Sequence, residues 1–408
     1  MKNSLKQTQT TAQRSKKLLR AVTVSMSVGF FEPMVEDWQR QGYDVVSVSS
    51  DGPELERLRA KGVKTVVVEM ERRMAPLKDL KSLWNLIRVF RKEKPDIVHS
   101  MTPKAGMLCM LAAWLTRVPR RVHTFTGLVW PTTTGLTRRI LMFTDWLTCA
   151  CATHVIPEGQ GVMNDLQQHI THKPMKVLGY GNVRGVDMAR FSRRPEVMRL
   201  AESLRKSYGE ASHHPVAVEE TSQSSIGAFT FLFVGRLVSD KGINELVQAF
   251  SRLHNEVPET RLVLVGAYEP HLDPLLPETE RIIAEAKGIE VVGEKSGDEL
   301  LAWYAAADAF VFPSYREGFP NVVLEAGAMG LPCIVTDING SREIIVEGQN
   351  GLIIPSKDEE ALYASMKRLL QHRDETTALA AKARPMIASR FERSYVQRCL
   401  YDFYAGLW

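Results

Sequence analysis

Cysteine is scarce in this chain of 408 residues: the five, at 109, 149, 151, 333 and 399, form neither an even framework nor two ligand pairs. A disulfide-stapled domain is therefore excluded, and reduced, mostly buried thiols are expected. Cys149 and Cys151 lack the second pair that a zinc site needs. No D-x-D occurs, which argues against a diphosphate held through a chelated divalent ion and sets the metal expectation at none. There is no uncharged apolar run of about 20 residues, so no spanning helix is expected. The first twenty residues also lack the apolar stretch of a signal peptide; they carry Lys2, Lys6, Arg14, Lys16, Lys17 and Arg20 without an acid, and read as a basic disordered arm. G-x-G-x-x-G is missing too, because the glycines of the nearest candidate loop fall at 179, 181 and 185. No aromatic-basic RNA motif or recognition-helix signature is present, and nucleic acid is not an expected partner.

What is present begins with length. A chain this long exceeds the size at which one core keeps growing, so two domains are expected. The net charge of +5 hides an asymmetry: residues 1–190 hold 29 Lys and Arg against 16 Asp and Glu, and residues 191–408 hold 23 against 31. A basic half joined to an acidic half implies that the basic one meets something anionic, either a membrane surface or a phosphorylated substrate.

Short β-branched runs alternate with amphipathic helical stretches along most of the chain, the pattern of parallel sheets covered by helices. The fold class expected is α/β, with two Rossmann-like, doubly wound domains. The expected boundaries are a basic arm over 1–20, a first domain over 21–194, a linker with a polar insertion over 195–227, a second domain over 228–383, and a C-terminal helix over 384–408 that crosses back to the first domain. Strands are expected at Ala21–Ser27 and within Met175–Phe191. Ligands bind beyond the carboxyl ends of the strands in such sheets, which selects Ser27 to Gly29, His99 to Lys104 and Thr124 to Gly127 as site loops. The helical stretch Pro76–Lys94 has an apolar stripe with Lys78, Lys81, Arg88, Arg91 and Lys92 around it, and Gly135–Cys151 is apolar with Arg138, Arg139 and Trp146. Both fit core helices with a solvated basic face, or helices lying on a lipid surface.

Two stretches of the second half have the chemistry of phosphate binding. Gly235 to Gly242 follows a strand and opens a helix, so Arg236 and Lys241 are held where a guanidinium fork and an ammonium can grip a diphosphate. Some eighty residues later, Arg316 to Gly330 reads REGFPNVVLEAGAMG. There, Pro320 suits a helix start, the N–H groups of Asn321 and Val322 can face a phosphate, and Glu317 and Glu325 stand two turns apart. The plainer alternative pairs Glu317 with Arg316 or Arg342 and leaves Glu325 as a solvated helix residue.

Together GRL and DKG at 235–242, VVGE at 291–294, EGFPNVVLEA at 317–326 and NGLIIP at 350–355 resemble the retaining glycosyltransferases of family four, which have the GT-B fold. KPDIVHSMTPKAG at 94–106 and HTFTGL at 123–128 resemble the bacterial subgroup that builds surface polysaccharides and lipid-linked oligosaccharides. The resemblance implies a hexosyltransferase without cofactor or metal, working at the inner face of the cytoplasmic membrane. It would move a sugar from a nucleotide-sugar donor, UDP-linked by expectation, to a polyprenyl-diphosphate-linked saccharide. It implies that Gly235, Arg236 and Lys241 hold the diphosphate, that Glu325 binds the ribose, and that Gly293, Glu294 and Lys295 border the base. Glu317 and the backbone of Gly318, Phe319, Pro320 and Asn321 would hold the transferred sugar, with Val322 completing the donor site through its N–H. Ser27, Gly29, His99, Lys104, His123 and Thr126 would face the acceptor. Two departures stand out: one glycine where many members have a pair at 27–31, and Thr126 where many have a catalytic histidine, which leaves His99 or His123 to replace it. The alternatives to a transferase are a non-catalytic nucleotide-sugar-binding protein and a nucleotide-sugar epimerase.

Overall fold

The computed structural model describes residues 15–71, 75–210, 229–269, 271 and 273–408. Residues 1–14 of the expected arm, residues 211–227 of the expected linker with its polar insertion, and residue 228 lie outside the described residues. The described residues form two compact units: the first takes those within 15–125, 135–156 and 169–175, and the second takes those within 126–134, 157–168, 176–210 and 229–408. Segments 126–134, 157–168 and 176–194 precede the expected boundary at 194, yet make their contacts within the second unit.

The first unit is built on strands β1 (Lys16–Ala21), β2 (Tyr43–Ser49), β3 (Lys64–Val67), β4 (Ile97–Met101), β5 (Arg120–Phe125) and β6 (His154–Pro157). They lie in the order β3-β2-β1-β4-β5-β6, with parallel pairing. The second unit repeats the plan with β7 (Phe229–Val234), β8 (Thr260–Val265), β9 (Ile289–Gly293), β10 (Ala309–Phe312), β11 (Cys333–Thr336) and β12 (Gly351–Ile354), ordered β12-β11-β10-β7-β8-β9 and again parallel. Near-continuous apolar strands such as FTFLFV in β7 are what a sheet covered on both faces requires. Two Rossmann-like sheets with flanking helices are thus the architecture.

Three elements differ from the sequence reading. The first strand is Lys16–Ala21, not Ala21–Ser27, and Ser25–Phe30 is a 3-10 turn. Tertiary contacts override the basic composition: Lys17 pairs with Glu93 and Asp44, while Arg20 is buried beside the stacked Phe31 and Trp38 rings and bonds His99. No regular strand forms over 175–191; β6 takes the sheet position instead, and Lys173 Nζ caps the carbonyls of Cys149 and Ala152 at a helix end. The C-terminal run is two helices, Arg373–Phe391 and Arg393–Ala405, broken at Glu392, whose carboxylate accepts from Ser394 N–H at 2.6 Å. At the break Val186 N–H donates to Phe391 O (2.8 Å) and Arg393 N–H to Val186 O (2.9 Å), so the chain end is tied to residues near 186. All five cysteines are free, and all but the half-buried Cys399 are buried.

Candidate active site

Strand order changes direction between β7 and β10, where the loops after the two strands diverge to opposite halves of the sheet and leave a crevice. The loop after β7 brings Gly235, Arg236 and Lys241; the loop after β10 brings Ser314, Arg316 and Glu317. Topology therefore brings together residues about eighty positions apart. Lys241 Nζ bonds Glu317 Oε1, and Ser314 Oγ donates to the same carboxylate oxygen at 2.9 Å. Both charged side chains are mostly shielded, at 13% and 18% exposure, a setting in which a charge-assisted bond is stronger than at the surface. Arg316 turns instead to Asp240 (3.2 Å) and Arg342 to Asp337 (2.8 Å), so neither arginine is the partner of Glu317.

Glycine lets the backbone close around this pair. A Cβ on Gly318 would stand 2.1 Å from Thr126 O, and one on Gly340 would stand 2.4 Å from Gly318 O. Thr126 thus meets the Glu317 loop through its carbonyl. Phe319 is buried against Phe391, with ring centroids 5.4 Å apart, and belongs to the core. Helix Asn321–Ala328 starts after Pro320 with no side-chain cap, and Asn321 Oδ1 accepts from Asn182 at 3.1 Å. On that helix Glu325 accepts from Tyr304 Oη at 3.3 Å; burial pushes its carboxyl up from the ordinary range, with Arg184 pulling the other way. The void that Glu325 lines with Arg184 and Asn321 measures about 10 Å³, water-sized and not ribose-sized. Val322 is half-buried one turn earlier.

Arg236 stands apart from the Lys241–Glu317 pair, half exposed and bonded to Glu269 at 3.2 Å. Gly293 ends β9 with φ +72° and open space where a Cβ would be; Glu294 is exposed, and Lys295 pairs with Glu299 at 2.6 Å. A cavity of about 240 Å³ opens beside Glu317, lined among others by Leu128, Thr132, Asp165, Asn339 and Arg342. Its polar wall is prearranged: Asn339 Nδ2 donates to Asp165 (2.8 Å) and its Oδ1 accepts from Arg342 (2.7 Å).

The candidates of the first unit have different surroundings. His99 is buried, with Nδ1 at Arg20 and Nε2 2.7 Å from Thr124 Oγ1; burial first, then the Arg20 charge, hold its pKa well below the ordinary 6.5. His123 is buried against Gly106 with Nδ1 2.9 Å from Ser100 Oγ, and burial lowers its pKa to about 3. Both imidazoles have the placement of neutral structural groups. Lys104 Nζ is held by both oxygens of Asp79, at 2.7 and 2.6 Å. Ser27 and Gly29 lie half-buried in the 3-10 turn after β1. Among the described residues no group of three His, Cys, Asp or Glu is placed to hold a metal ion.

Sequence reasoning missed Ser314, Tyr304, Asn339 and Glu158. The first three had no signal beyond lying in strand-end loops or on a neighbouring helix. Glu158 follows Pro157 at the end of a strand, the position that had drawn attention to other loops.

The description "Glycosyl transferases group 1" matches residues 228–372, and "Glycosyl transferase 4-like domain" matches residues 30–181. The chain belongs to the family-four glycosyltransferases. It is 29% identical, over 96% of its length and 97% of the other's, to the capsular polysaccharide biosynthesis glycosyltransferase CapM of Staphylococcus aureus. It is 28% identical to the UDP-Gal:alpha-D-GlcNAc-diphosphoundecaprenol alpha-1,3-galactosyltransferase of Escherichia coli, covering 73% of this chain and 72% of that one. Among solved structures, Anabaena HepE in complex with UDP superposes with a TM-score of 0.75 at 18% identity, over 96% of this chain and all of that one. That likeness establishes the GT-B fold of this glycosyltransferase.

Proposed function

We propose that this glycosyltransferase moves a sugar from a UDP-sugar to a polyprenyl-diphosphate-linked saccharide, with retention at the anomeric carbon and without a metal. The observation that carries the reading is the Lys241–Glu317 pair, shielded at the switch point of the second sheet beside an uncapped helix start. Lys241 would release part of its bond to Glu317 for the donor's diphosphate, and Glu317 would accept from a hydroxyl of the transferred sugar. In the step itself the bond from the anomeric carbon to the diphosphate oxygen breaks, and a bond forms from that carbon to the acceptor hydroxyl oxygen on the same face. The hydroxyl proton passes to the departing phosphate, and UDP leaves. Negative charge grows on that phosphate, where Lys241 and the N–H groups of Asn321 and Val322 stabilise it. No protein nucleophile is needed.

Glu325 would serve the ribose by exchanging the Tyr304 hydroxyl for the ribose diol. The cavity beside Glu317, about 240 Å³ with an Asp165–Asn339–Arg342 wall, is suited to the acceptor's sugar. Its polar network offers hydroxyl partners, and Leu128 offers an apolar face. The E. coli relative named for a diphosphoundecaprenol substrate supports the lipid-linked acceptor, and UDP in the HepE structure supports the donor.

Peripheral contact of the first unit with the cytoplasmic leaflet of a membrane is part of this reading. No helix of the described residues is long and apolar enough to cross a membrane. Helices Pro76–Glu93 and Gly135–Cys151 both pack on helix Pro103–Leu115, and they expose Leu77, Leu80, Trp84, Phe143 and Trp146 among basic side chains. Aromatics and leucines interleaved with Lys and Arg fit an anionic bilayer surface.

The test is transfer by the purified protein from a panel of UDP- and GDP-sugars to a synthetic polyprenyl-diphosphate saccharide, with EDTA present and product anomers read by NMR. Transfer from a UDP-sugar with retained configuration is expected. Inverted product, or dependence on added Mg²⁺ or Mn²⁺, would overturn the mechanism; tight UDP-sugar binding without transfer would make the protein a binding module.

A further inference from the structure

Helix Asn321–Ala328 begins with two N–H groups that nothing claims. Val323 and Leu324 N–H both turn to Pro320 O, at 3.1 and 3.5 Å, and no side chain caps the helix. Among the described residues the N–H groups of Asn321 and Val322 have no acceptor. An asparagine in this position readily turns its side-chain oxygen back onto its own or a neighbouring N–H, where it would occupy the place of a phosphate oxygen. Here that oxygen is engaged elsewhere, by Asn182.

Three segments of the second unit meet at Asn182, which is 2% exposed and has a left-handed backbone, φ +61°. Its N–H donates to Glu158 O at 2.8 Å. Its side-chain Oδ1 accepts from the N–H groups of Arg184 (2.9 Å) and Gly185 (2.6 Å). Only an oxygen accepts two N–H groups, so the atom that faces Asn321 is Nδ2, and it donates to Asn321 Oδ1 at 3.1 Å. The sense of both amides is thereby fixed, with the Asn321 oxygen bonded to Asn182 and not to its own helix. Close packing holds the arrangement: at Gly181, φ +92°, a Cβ would stand 2.6 Å from Glu158 O and 2.8 Å from the Phe319 ring, one residue before Pro320. The turn that Asn182 closes also lines, through Arg184 and Gly185, the small void beside Glu325.

We propose that Asn182 is a positioning residue for donor binding that acts through Asn321: by holding the Asn321 side-chain oxygen, it keeps the N–H groups at the helix start open for the donor's diphosphate. When Asn182 is lost, the Asn321 oxygen turns onto those N–H groups, and a diphosphate has to displace it. The loss then falls on nucleotide affinity more than on the fold. This inference rests on the reading that the N–H groups of Asn321 and Val322 meet the diphosphate.

The experiment measures the affinities of UDP and GDP by calorimetry for the wild type, Asn182→Gly, Asn321→Ala and the double variant. Glycine suits the left-handed backbone at 182, and alanine at 321 keeps the backbone N–H while removing the competing oxygen. Asn182→Gly should weaken the tighter nucleotide about tenfold, the scale of one hydrogen bond to a charged group. Adding Asn321→Ala should then strengthen binding, returning the double variant to the level of Asn321→Ala alone. A merely structural role gives the reverse, since a second truncation in a loosened loop adds to the loss. A double variant that binds no better than Asn182→Gly would overturn the proposal, as would wild-type affinity in Asn182→Gly. Where near-ultraviolet circular dichroism shows Asn182→Gly unfolded, Asn182→Asp decides. It still accepts from Arg184 and Gly185 but has no N–H for Asn321, so it should lose affinity and regain part of it with Asn321→Ala; no regain would overturn the proposal. A wild type that binds neither nucleotide would overturn the donor reading itself and this inference with it, an outcome distinct from tight wild-type binding without rescue.

Discussion

The two units share one sheet order and differ in what they do with charge. The first places its unusual groups where solvent does not reach: Arg20 among aromatic rings, His99 and His123 neutral inside the sheet layer, Lys104 locked to Asp79. What it turns outward is apolar, with Leu77 at 87% and Phe143 at 58% exposure. The second unit collects carboxylates and an ammonium in the crevice at its switch point and keeps glycines around them. One plan thus yields a surface that suits docking and a crevice that suits chemistry, and which of the two a unit offers follows from the loops after its central strands.

The sharpest way to break this contrast is to remove charge from the crevice. Lys241→Ala and Glu317→Ala should each lower kcat/KM by about 100-fold or more, the scale of losing a donor aimed at developing charge. The double variant should fall little further, since the two act as one unit. Steady-state kinetics with unchanged far-ultraviolet circular dichroism checks this, and near-wild-type turnover by either single variant would remove the crevice from the chemistry. Lys104→Ala in the first unit, losing a pair already satisfied by Asp79, should affect donor KM far less. A comparable loss in both units would erase the comparison.

Much of this division was legible in the sequence, and the exceptions have physical causes. The alternation of β-branched runs and helices marked both sheets, and spacing alone singled out Lys241 and the 317–325 segment. Charge misled at β1, where KKLLRA looks like a solvated arm until Phe31, Trp38 and Glu93 are brought against it. Histidines at strand ends looked available for catalysis; their hydrogen bonds to Arg20, Thr124 and Ser100 come from other strands and have no sequence signature. Glu158 stayed hidden because what distinguishes it is the company of Glu317 and Glu343, more than 150 residues away along the chain.

Close packing of backbone gives the next effect in size. Gly318→Ala would push a Cβ to 2.1 Å from Thr126 O, a backbone atom that cannot step aside. A loss of about 1–3 kcal/mol in stability is expected from such overpacking, measured as a shift in urea midpoint with unchanged m-value. Gly29→Ala in the first unit has nothing within 4 Å of the added methyl and should leave the midpoint nearly unmoved. A smaller effect, about tenfold in vesicle affinity for each aromatic lost, is expected for Trp84→Glu and Trp146→Glu with anionic liposomes, read by flotation. Neutral liposomes should bind the wild type poorly; equal binding would remove the electrostatic part of that reading.

The finest distinction is the sign of the pH response. His123 has its pKa lowered to about 3 by burial, against 6.5 when exposed, so the unfolded chain takes up a proton that the fold refuses. Its neutral form contributes stability that is present above about pH 6.5 and is lost as pH falls toward 3, and buried His99 acts in the same direction. Glu158 has the opposite sign: raised from 4.5 to about 8, it binds a proton in the fold that the unfolded chain has already released, so stability is fullest below pH 4.5 and is lost as pH climbs to about 8. Each group changes stability by at most about 1.4 kcal/mol per pH unit within its window. Hydrogen exchange read by mass spectrometry, segment by segment, should therefore show β4 and β5 losing protection first on acidification, and residues 157–168 losing it first on mild alkalinisation. Glu158→Gln should abolish only the alkaline effect. If both regions loosened together at one pH extreme, their stabilities would be governed by a shared charge balance and not by these separately buried groups.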